Sequence, residues 1–456
     1  MKSLREGIDH RIFTDPVVWR DRILMWTAAS FAGLCVVVFT FMTEWASTWF
    51  MLMRNRYVWL PVILTPAVGM LVVWLTRRFA EGSAGSGIPQ VMTALSGEVP
   101  PNLLGRFVSL RVAFAKATLG ALALGAGFST GREGPSVQIA AGVMHSFRRW
   151  FSEKSNITAN DLMLAGGAAG IAAAFNAPLA GVVFAIEEMS RRFEQRSSGL
   201  IVTAIVLAGM VSVSFFGNGT YFRGIAVPSV SLELIFPALL CALLAGALGG
   251  LFSRLLIVSS LGGKDILSRL RASRPVIFAG VCGLGVAVLG LVSQGAAHGS
   301  GFSYTESGLT GASEMSSLYV GIKFIATWLS YWSGVPGGIF APSLAIGAGL
   351  GHDIALLTNS ASMPTLIALG MVGFLAAVTQ APITSFIIVM EMVDGHTMVL
   401  SLMATALVAA LISRLISPPL YHSLSSMQLQ KVRPPPAEVC TDLKDEIKVS
   451  PDVSKA

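Results

Sequence analysis

The chain has 456 residues, of which 53% are hydrophobic and only 12% are charged, with 32 Lys and Arg against 25 Asp and Glu for a net charge of +7. This charged fraction is about half of the ~25% found in soluble domains, so the chain cannot form the charged shell that a soluble protein of this size needs. The composition also excludes intrinsic disorder, and the lack of a dense basic stretch excludes nucleic-acid binding. We interpret the chain as an all-α polytopic membrane protein.

Residues 1–22 are polar and are predicted to be a cytoplasmic segment, because short Lys/Arg-rich segments stay on the cytoplasmic side. Uncharged runs of about the length of a membrane-spanning helix follow at 23–43, 57–76, 162–186, 197–222, 234–253, 275–305, 324–352, 354–390 and 395–413. Several exceed one crossing and contain many of the 47 Gly and 21 Pro. We therefore expect helices that break inside the membrane.

Two parts of the chain resemble each other. GIAAAFNAP at 170–178 corresponds to GFLAAVTQAP at 373–382, and GSG at 85–87 corresponds to GSG at 299–301, with offsets of about 203 to 214 residues. Each Ala-Pro opens an apolar run that ends in Glu-Met. The simplest interpretation is an internal repeat, and the alternative is a chance match of small residues.

The repeat predicts two membrane halves at 23–216 and 233–416, joined by a linker at 217–232. Transporter halves are commonly inverted, with the substrate bound between them near the midplane. A short terminal helix at 417–426 and a flexible cytoplasmic tail at 427–456 complete the predicted organisation.

Three segments place glycines and a proline ahead of an apolar helix. They are Gly85, Ser86, Gly87, Ile88 and Pro89; Gly131, Arg132, Glu133, Gly134 and Pro135; and Gly337, Gly338, Ile339, Phe340, Ala341 and Pro342. Proline favours the start of a helix, and glycine allows close approach of a ligand. Each segment is predicted to be a helix N-terminus at membrane depth, which favours an anion. Glycine for tight helix packing is the alternative, and three such segments together favour the anion site.

In this order the segments resemble the GSGIP, G[K/R]EGP and GxFxP signatures of the CLC family of chloride channels and proton/chloride exchangers. The resemblance covers about residues 20–425 and is closest to the short prokaryotic exchangers. It implies a fold of about 18 tilted and broken helices in two inverted repeats. It also implies a homodimer in the lipid bilayer with one anion pathway per subunit, chloride and protons as substrates, and no cofactor.

The resemblance further implies the chloride ligands. These are the hydroxyls of Ser86 and Tyr421 and the backbone N–H groups of Ile339 and Phe340. By itself, Ser86 would equally suit a helix N-cap, and Tyr421 would suit an aromatic anchor at the membrane boundary.

Glu133 is an acid inside the membrane region, which costs about 2.5–3.5 kcal/mol on insertion scales and is a functional hypothesis by default. At a helix N-terminus its carboxylate can compete with chloride for the same N–H groups, and protonation weakens that hold. We interpret Glu133 as both gate and proton carrier. The alternative is a carboxylate neutralised by Arg132 or capping its own helix.

Glu187 and Glu188 end an apolar run and precede Arg191, Arg192 and Arg196, which indicate a cytoplasmic edge. The resemblance aligns Glu188 with the internal proton-transfer glutamate of the exchangers, whereas the family's channels typically carry another residue. Glu187 is a weaker candidate for the same role. The alternative for both is a solvated ion pair.

Lys116 lies in an apolar helix, and its ammonium group either reaches to water or draws anions inward. The resemblance implies a third role, because relatives pair the matching lysine with an acid, here Glu98, which would make Lys116 structural. The histidines have no metal-ligand spacing, so no metal site is expected.

The sequence therefore predicts a non-enzymatic secondary transporter that exchanges chloride for protons. The alternatives are a passive voltage- or pH-gated chloride channel and, remotely, an intramembrane hydrolase in which a histidine would activate Ser86. No nucleotide-binding module follows the membrane region, which favours a prokaryotic plasma (inner) membrane protein with both termini in the cytoplasm.

Overall fold

The computed structural model describes residues 16–152, 155–189, 198–222, 232–312, 315–360 and 362–432. Across these ranges the chain forms 19 α-helices and no β-strand longer than a single bridge, which confirms the all-α prediction. Up to residue 222 the helices are α1 Pro16–Arg56, α2 Leu60–Phe79, α3 Ile88–Leu95, α4 Pro101–Leu104, α5 Leu110–Gly125, α6 Glu133–Ser146, α7 Ala159–Phe175, α8 Pro178–Phe184 and α9 Ser198–Phe216. Beyond it they are α10 Ile235–Leu261, α11 Ile266–Ser273, α12 Pro275–Val292, α13 Phe302–Thr310, α14 Tyr319–Ser333, α15 Phe340–Leu357, α16 Met363–Thr379, α17 Pro382–Met392, α18 Val399–Ile416 and α19 Leu420–Val432.

Seven of the described helices are long and apolar enough to cross a membrane. They are α1, α2, α9, α10, α12, α15 and α18, with α18 counted from His396. The expected breaks are present, since the apolar run 354–390 is divided among α15, α16 and α17. Two predicted bounds differ from the structure. Helix α1 already begins at Pro16, and the terminal helix runs from Leu420 to Val432 rather than over 417–426.

Burial is reversed relative to a soluble protein. In α15 and α16 nearly every side chain is buried in protein. The outer helices expose large apolar side chains instead, such as Leu400 at 76% and Leu415 at 83% on α18. An apolar exterior around a fully covered centre is the arrangement that a lipid environment requires.

Small residues allow the central helices to approach closely. A Cβ atom on Gly170 of α7 would lie 2.5 Å from the carbonyl oxygen of Ser136 on α6, and one on Gly347 of α15 would overlap the carbonyl oxygen of Gly370 on α16. Backbone contact of this kind needs glycine in membrane helices. The many glycines therefore serve packing as well as the site described below.

The two echoing segments break their helices in the same way. Asn176 ends α7 and Gln380 ends α16, each in the left-handed conformation, and each is followed by Ala-Pro at the start of the next helix. The two short helices also cap each other. Glu391 of α17 accepts a hydrogen bond from the N–H of Ala180 at 2.8 Å, and Glu187 accepts from the N–H groups of Ile383 and Thr384 at 3.0 and 2.6 Å.

Candidate functional site

The three glycine-proline segments meet at one point of the fold. Gly131 and Gly338 exchange two backbone hydrogen bonds of 2.7 Å, which form an isolated antiparallel bridge. The N–H of Gly337 donates to the carbonyl of Gly85 at 3.0 Å. Segments far apart in the chain are therefore fixed to one another by their backbones.

Each segment starts a helix, as predicted. Helices α3, α6 and α15 begin at Ile88, Glu133 and Phe340, with the proline at the second or third helical position rather than the first. Gly87 precedes α3 with φ +109°, a conformation that side chains disfavour. A Cβ there would lie 2.7 Å from the carbonyl oxygen of Gly134. Glycine is therefore required for the first two helix starts to touch.

Lys116 supports the first segment from behind. Its side chain is fully buried, and its ammonium donates to the carbonyls of Ser83 and Gly85 at 2.8 and 2.5 Å. It therefore neither reaches to water nor lines the site. Of the roles weighed from sequence the structural one remains, with these backbone carbonyls as the hydrogen-bond acceptors of Lys116. Lys323 of α14 does the same in the second part of the chain, donating to the carbonyls of Ala297 and Gly299 at 3.0 and 2.8 Å.

We expect Lys116→Met to lower the free energy of unfolding by about 2 kcal/mol, because two buried carbonyls lose their donor. It should also weaken chloride binding, since the Gly85 carbonyl holds the loop that positions Ser86. Lys323→Met is the matched control, with a similar stability loss and unchanged chloride affinity. Thermal unfolding and calorimetric titration with chloride measure both quantities, and equal chloride affinities in the two variants would contradict this role.

Several polar side-chain atoms at this meeting point are buried without a hydrogen-bond partner among the described residues. They include Oγ of Ser86, Oη of Tyr421 and Oε1 of Glu133. The Tyr421 hydroxyl lies near that of Ser86 and within electrostatic range of Glu133. Buried polar atoms are nearly always hydrogen-bonded, so a group of orphaned ones indicates a ligand site. Within the described residues, no histidine forms the hydrogen bond to Oγ of Ser86 that would activate a hydrolytic nucleophile.

Glu133 lies between two helix N-termini. It is the first residue of α6, and its Oε2 accepts a hydrogen bond of 3.4 Å from the N–H of Ala341 in the first turn of α15. Its side chain is fully buried. The first N–H groups of a helix have no partner within it, so the carboxylate takes a position that suits an anion.

Aromatic rings enclose the start of α15. The Phe340 ring has its centroid 5.9 Å from that of Tyr421, 6.2 Å from Phe184 and 6.5 Å from Phe175. Phe340 and Ile339 are both buried. An apolar wall strengthens the electrostatic effect of the few N–H and O–H groups within it.

Two cavities reach the site. One has a volume of about 430 Å³ and is lined by Glu133 together with Arg132, Glu44 and Tyr221; we call it the Glu133 cavity. The other has a volume of about 620 Å³ and is lined by Ser86; we call it the Ser86 cavity. Glu133 and Ser86 thus mark where two separate openings approach the same point.

The two adjacent acids Glu187 and Glu188 have different surroundings. They lie in a π-helical turn, Ala185–Met189, which follows α8. Glu187 caps α17, as described above, whereas Glu188 is 6% exposed and its Oε1 lies 4.0 Å from Nδ1 of His422. π-turns insert one residue and often occur at functional sites. The extra residue explains why one acid caps a neighbouring helix while the next turns inward.

Three residues that contact Glu188 or Arg132 were not identified from the sequence. His422 beside Glu188, and Glu44 and Tyr221 beside Arg132, come from distant parts of the chain. Only the position of His422 next to Tyr421 could have drawn attention to it. The arginines at 191, 192 and 196 lie outside the described residues. Among the residues described, no group of His, Cys, Asp and Glu could hold a metal ion.

Residues 68–414 match the family model described as voltage gated chloride channel. The chain belongs to this family. It is 33% identical over 390 residues to the H(+)/Cl(-) exchange transporter ClcA of Cronobacter sakazakii, covering 82% of this chain and 81% of that protein. It is 32% identical over 393 residues to the transporter of the same name from Klebsiella pneumoniae strain 342, covering 82% and 80%. The resemblance drawn from the three motifs is therefore confirmed.

Solved structures agree with this family membership. A slow cyanobacterial Cl-/H+ antiporter superposes with a TM-score of 0.74 at 28% identity, covering 90% of this chain and 98% of that one. A eukaryotic CLC transporter superposes with a TM-score of 0.72 at 25% identity, covering 89% of this chain and 74% of that one. A CLC-type fluoride/proton antiporter superposes with a TM-score of 0.75 at 22% identity, and this likeness shows a shared fold only. The chain therefore has the CLC fold and is a membrane protein.

Proposed function

We propose that this protein is a secondary transporter that exchanges chloride for protons. The observation that carries the proposal is the convergence of orphaned polar side-chain atoms on two helix N-termini at the end of two cavities. Hydroxyl and N–H donors replace part of the ion's hydration without the strong hold of a buried Lys or Arg. The proposed chloride ligands are Ser86, Tyr421, Ile339 and Phe340.

Glu133 couples the two ions in this proposal. When ionised, its carboxylate holds the helix N-terminus at Ala341 and competes with chloride there. When protonated, it loses most of that attraction and leaves the site to the anion. One side chain thus serves as gate and as proton carrier, so chloride and proton movements are linked.

Glu188 is the proposed second proton carrier. It is buried, lies within electrostatic range of Tyr421 and has His422 at 4.0 Å. This distance suits proton transfer through one intervening water, and His422, with its side chain 36% exposed, is the more accessible of the two. Protons would pass between Glu188 and Glu133, while chloride uses the Ser86 cavity.

The test is flux from liposomes that contain the purified protein. Chloride leaving the vesicles down its gradient should drive protons inward against theirs. Chloride efflux without proton uptake would contradict exchange. The similarity to named H(+)/Cl(-) exchange transporters supports this outcome.

A passive chloride channel is the competing possibility, and the reversal potential separates the two. An exchanger should reverse between the equilibrium potentials of chloride and of protons, and its reversal potential should move when pH changes on one side. A channel should reverse at the chloride potential at every pH.

We expect Glu188→Gln to abolish proton transport while chloride transport continues, because the inner proton step needs a titratable group. Glu187→Gln is the matched control at the adjacent position. Its amide oxygen can still accept hydrogen bonds from the first N–H groups of α17, so this variant should keep proton coupling. Its free energy of unfolding should fall by no more than about 1 kcal/mol. Paired chloride and pH electrodes measure both fluxes. Loss of proton flux in both variants, or in neither, would contradict the assignment.

Four parts of the organisation stay predictions. These are the homodimer, the inverted relation of the two halves, the cytoplasmic location of both termini and the prokaryotic plasma membrane. The matching breaks at Asn176 and Gln380 and the matching lysines, Lys116 and Lys323, support the two halves.

A further inference from the structure

Arg132 is held by two groups in the Glu133 cavity. Its Nη1 lies 2.6 Å from Oε1 of Glu44, and its Nη2 donates to Oη of Tyr221 at 3.4 Å. Its Cζ lies 5.7 Å from the centroid of the Tyr221 ring. The arginine side chain is 14% exposed and that of Glu44 is 50% exposed. The guanidinium is thus fixed on the side of Glu44 and Tyr221.

No hydrogen bond from the guanidinium to the adjacent acid, Glu133, is seen in the described part of the chain, although Arg132 lies within electrostatic range of Glu133. Among the described residues, Oε1 of Glu133 is buried without a hydrogen-bond partner, and Oε2 accepts from the N–H of Ala341 at 3.4 Å. A buried carboxylate beside an arginine would ordinarily take a charge-assisted hydrogen bond from it. Instead, the Arg132 guanidinium forms this kind of hydrogen bond with Glu44.

We propose that Glu44 is a positioning residue that holds Arg132 away from Glu133 and so keeps the Glu133 carboxyl free to take up a proton. This inference rests on the proposed function. If Arg132 were released from Glu44, its guanidinium would be free to hydrogen-bond to Glu133, and its positive charge would favour the ionised form of Glu133 more strongly than it does now. Protonation, and with it the opening of the anion site, would then need a more acidic solution.

The other groups around Glu133 do not substitute for Glu44. Those within electrostatic range of Glu133 or Arg132 are Glu44 on α1, Tyr221 after α9 and Tyr421 on α19. Lys116 on α5 is bound to carbonyl groups. Helix α3 carries no charged residue, and those of α7 and α15 lie in the turns remote from Glu133. Apart from Glu133 itself, Glu44 is therefore the carboxylate in this group that balances the charge of Arg132.

The test is the pH dependence of chloride efflux from liposomes with the same pH on both sides. Wild-type efflux should rise as pH falls, because Glu133 becomes protonated. In Glu44→Gln the pH of half-maximal efflux should lie about one unit lower. Glu44→Asp, which keeps the charge, should recover most of this shift.

Two controls separate this effect from general damage. Glu306→Gln makes the same chemical change on α13, whose first residues also line the cavity, and should leave the profile unchanged. In a Glu133→Gln background, Glu44→Gln should cause no further shift, because the group that responds is gone. Should Glu44→Gln fail to fold, Tyr221→Phe removes the hydroxyl that accepts from Arg132 but keeps the ring contact, and it should shift the profile in the same direction by a smaller amount.

A Glu44→Gln profile that coincides with wild type, or a full shift that persists without Glu133, would overturn the inference while leaving chloride/proton exchange intact. A wild-type profile that is flat with pH would refute gating by Glu133, and the inference with it.

Discussion

Replacing Glu133 by Gln or Ala should abolish proton transport while chloride continues to cross. The buried carboxyl is the proposed meeting point of both ions, and neither replacement can carry a proton. Chloride flux should stay within roughly tenfold of wild type, a barrier change of about 1.4 kcal/mol or less, because the Ser86 and Tyr421 hydroxyls remain. Liposome flux with chloride and pH electrodes measures both ions.

Asp at the same position is the informative control for this experiment. It keeps the acid but shortens the reach to the N–H of Ala341, so coupling should weaken rather than vanish. If Glu133→Gln still takes up as many protons per chloride as wild type, protons cross by another route.

Gly134→Ala should reduce chloride and proton transport together by about 100-fold, the loss that an ångström-scale displacement can cause in a pre-organised site. The new Cβ would lie 2.5 Å from Oγ of Ser86 and 2.8 Å from its carbonyl oxygen. Ser86 would have to move away from the site that its hydroxyl helps to form. Both fluxes fall because the exchange is coupled, in contrast to the Glu133 variants.

Gly105→Ala provides the matched control. A Cβ at Gly105 would meet no atom within 4 Å, so this variant should transport like wild type. Size-exclusion chromatography should show that both variants are folded. Wild-type flux in a folded Gly134→Ala protein would mean that Ser86 does not line the ion pathway.

The sequence predicted the helix starts at the three glycine-proline segments because proline and glycine constrain the backbone locally. Their convergence on one anion site could be expected from the presence of three such segments and from the family resemblance, but not from any one segment. The hydrogen bonds between Gly131 and Gly338 join residues that no local pattern connects. Motifs that specify backbone conformation are thus visible in sequence, whereas the contacts between them are not.

Side-chain roles that depend on contacts between distant parts of the chain were harder to predict from the sequence. Lys116 reads as an isolated charge in an apolar helix, and only the fold shows the carbonyls of Ser83 and Gly85 around its ammonium group. Glu187 and Glu188 look equivalent in sequence, and a π-turn distinguishes them by one residue. The pairing of Arg132 with Glu44 joins two helices and has no sequence signature.

Competition between the Glu133 carboxylate and chloride is the central claim, and calorimetric titration with chloride at several pH values tests it most directly. We expect wild-type affinity to fall as pH rises, because the ionised side chain takes the place of the anion, and Glu133→Ala to bind chloride equally well at every pH. The same pH dependence in both proteins would contradict the claim.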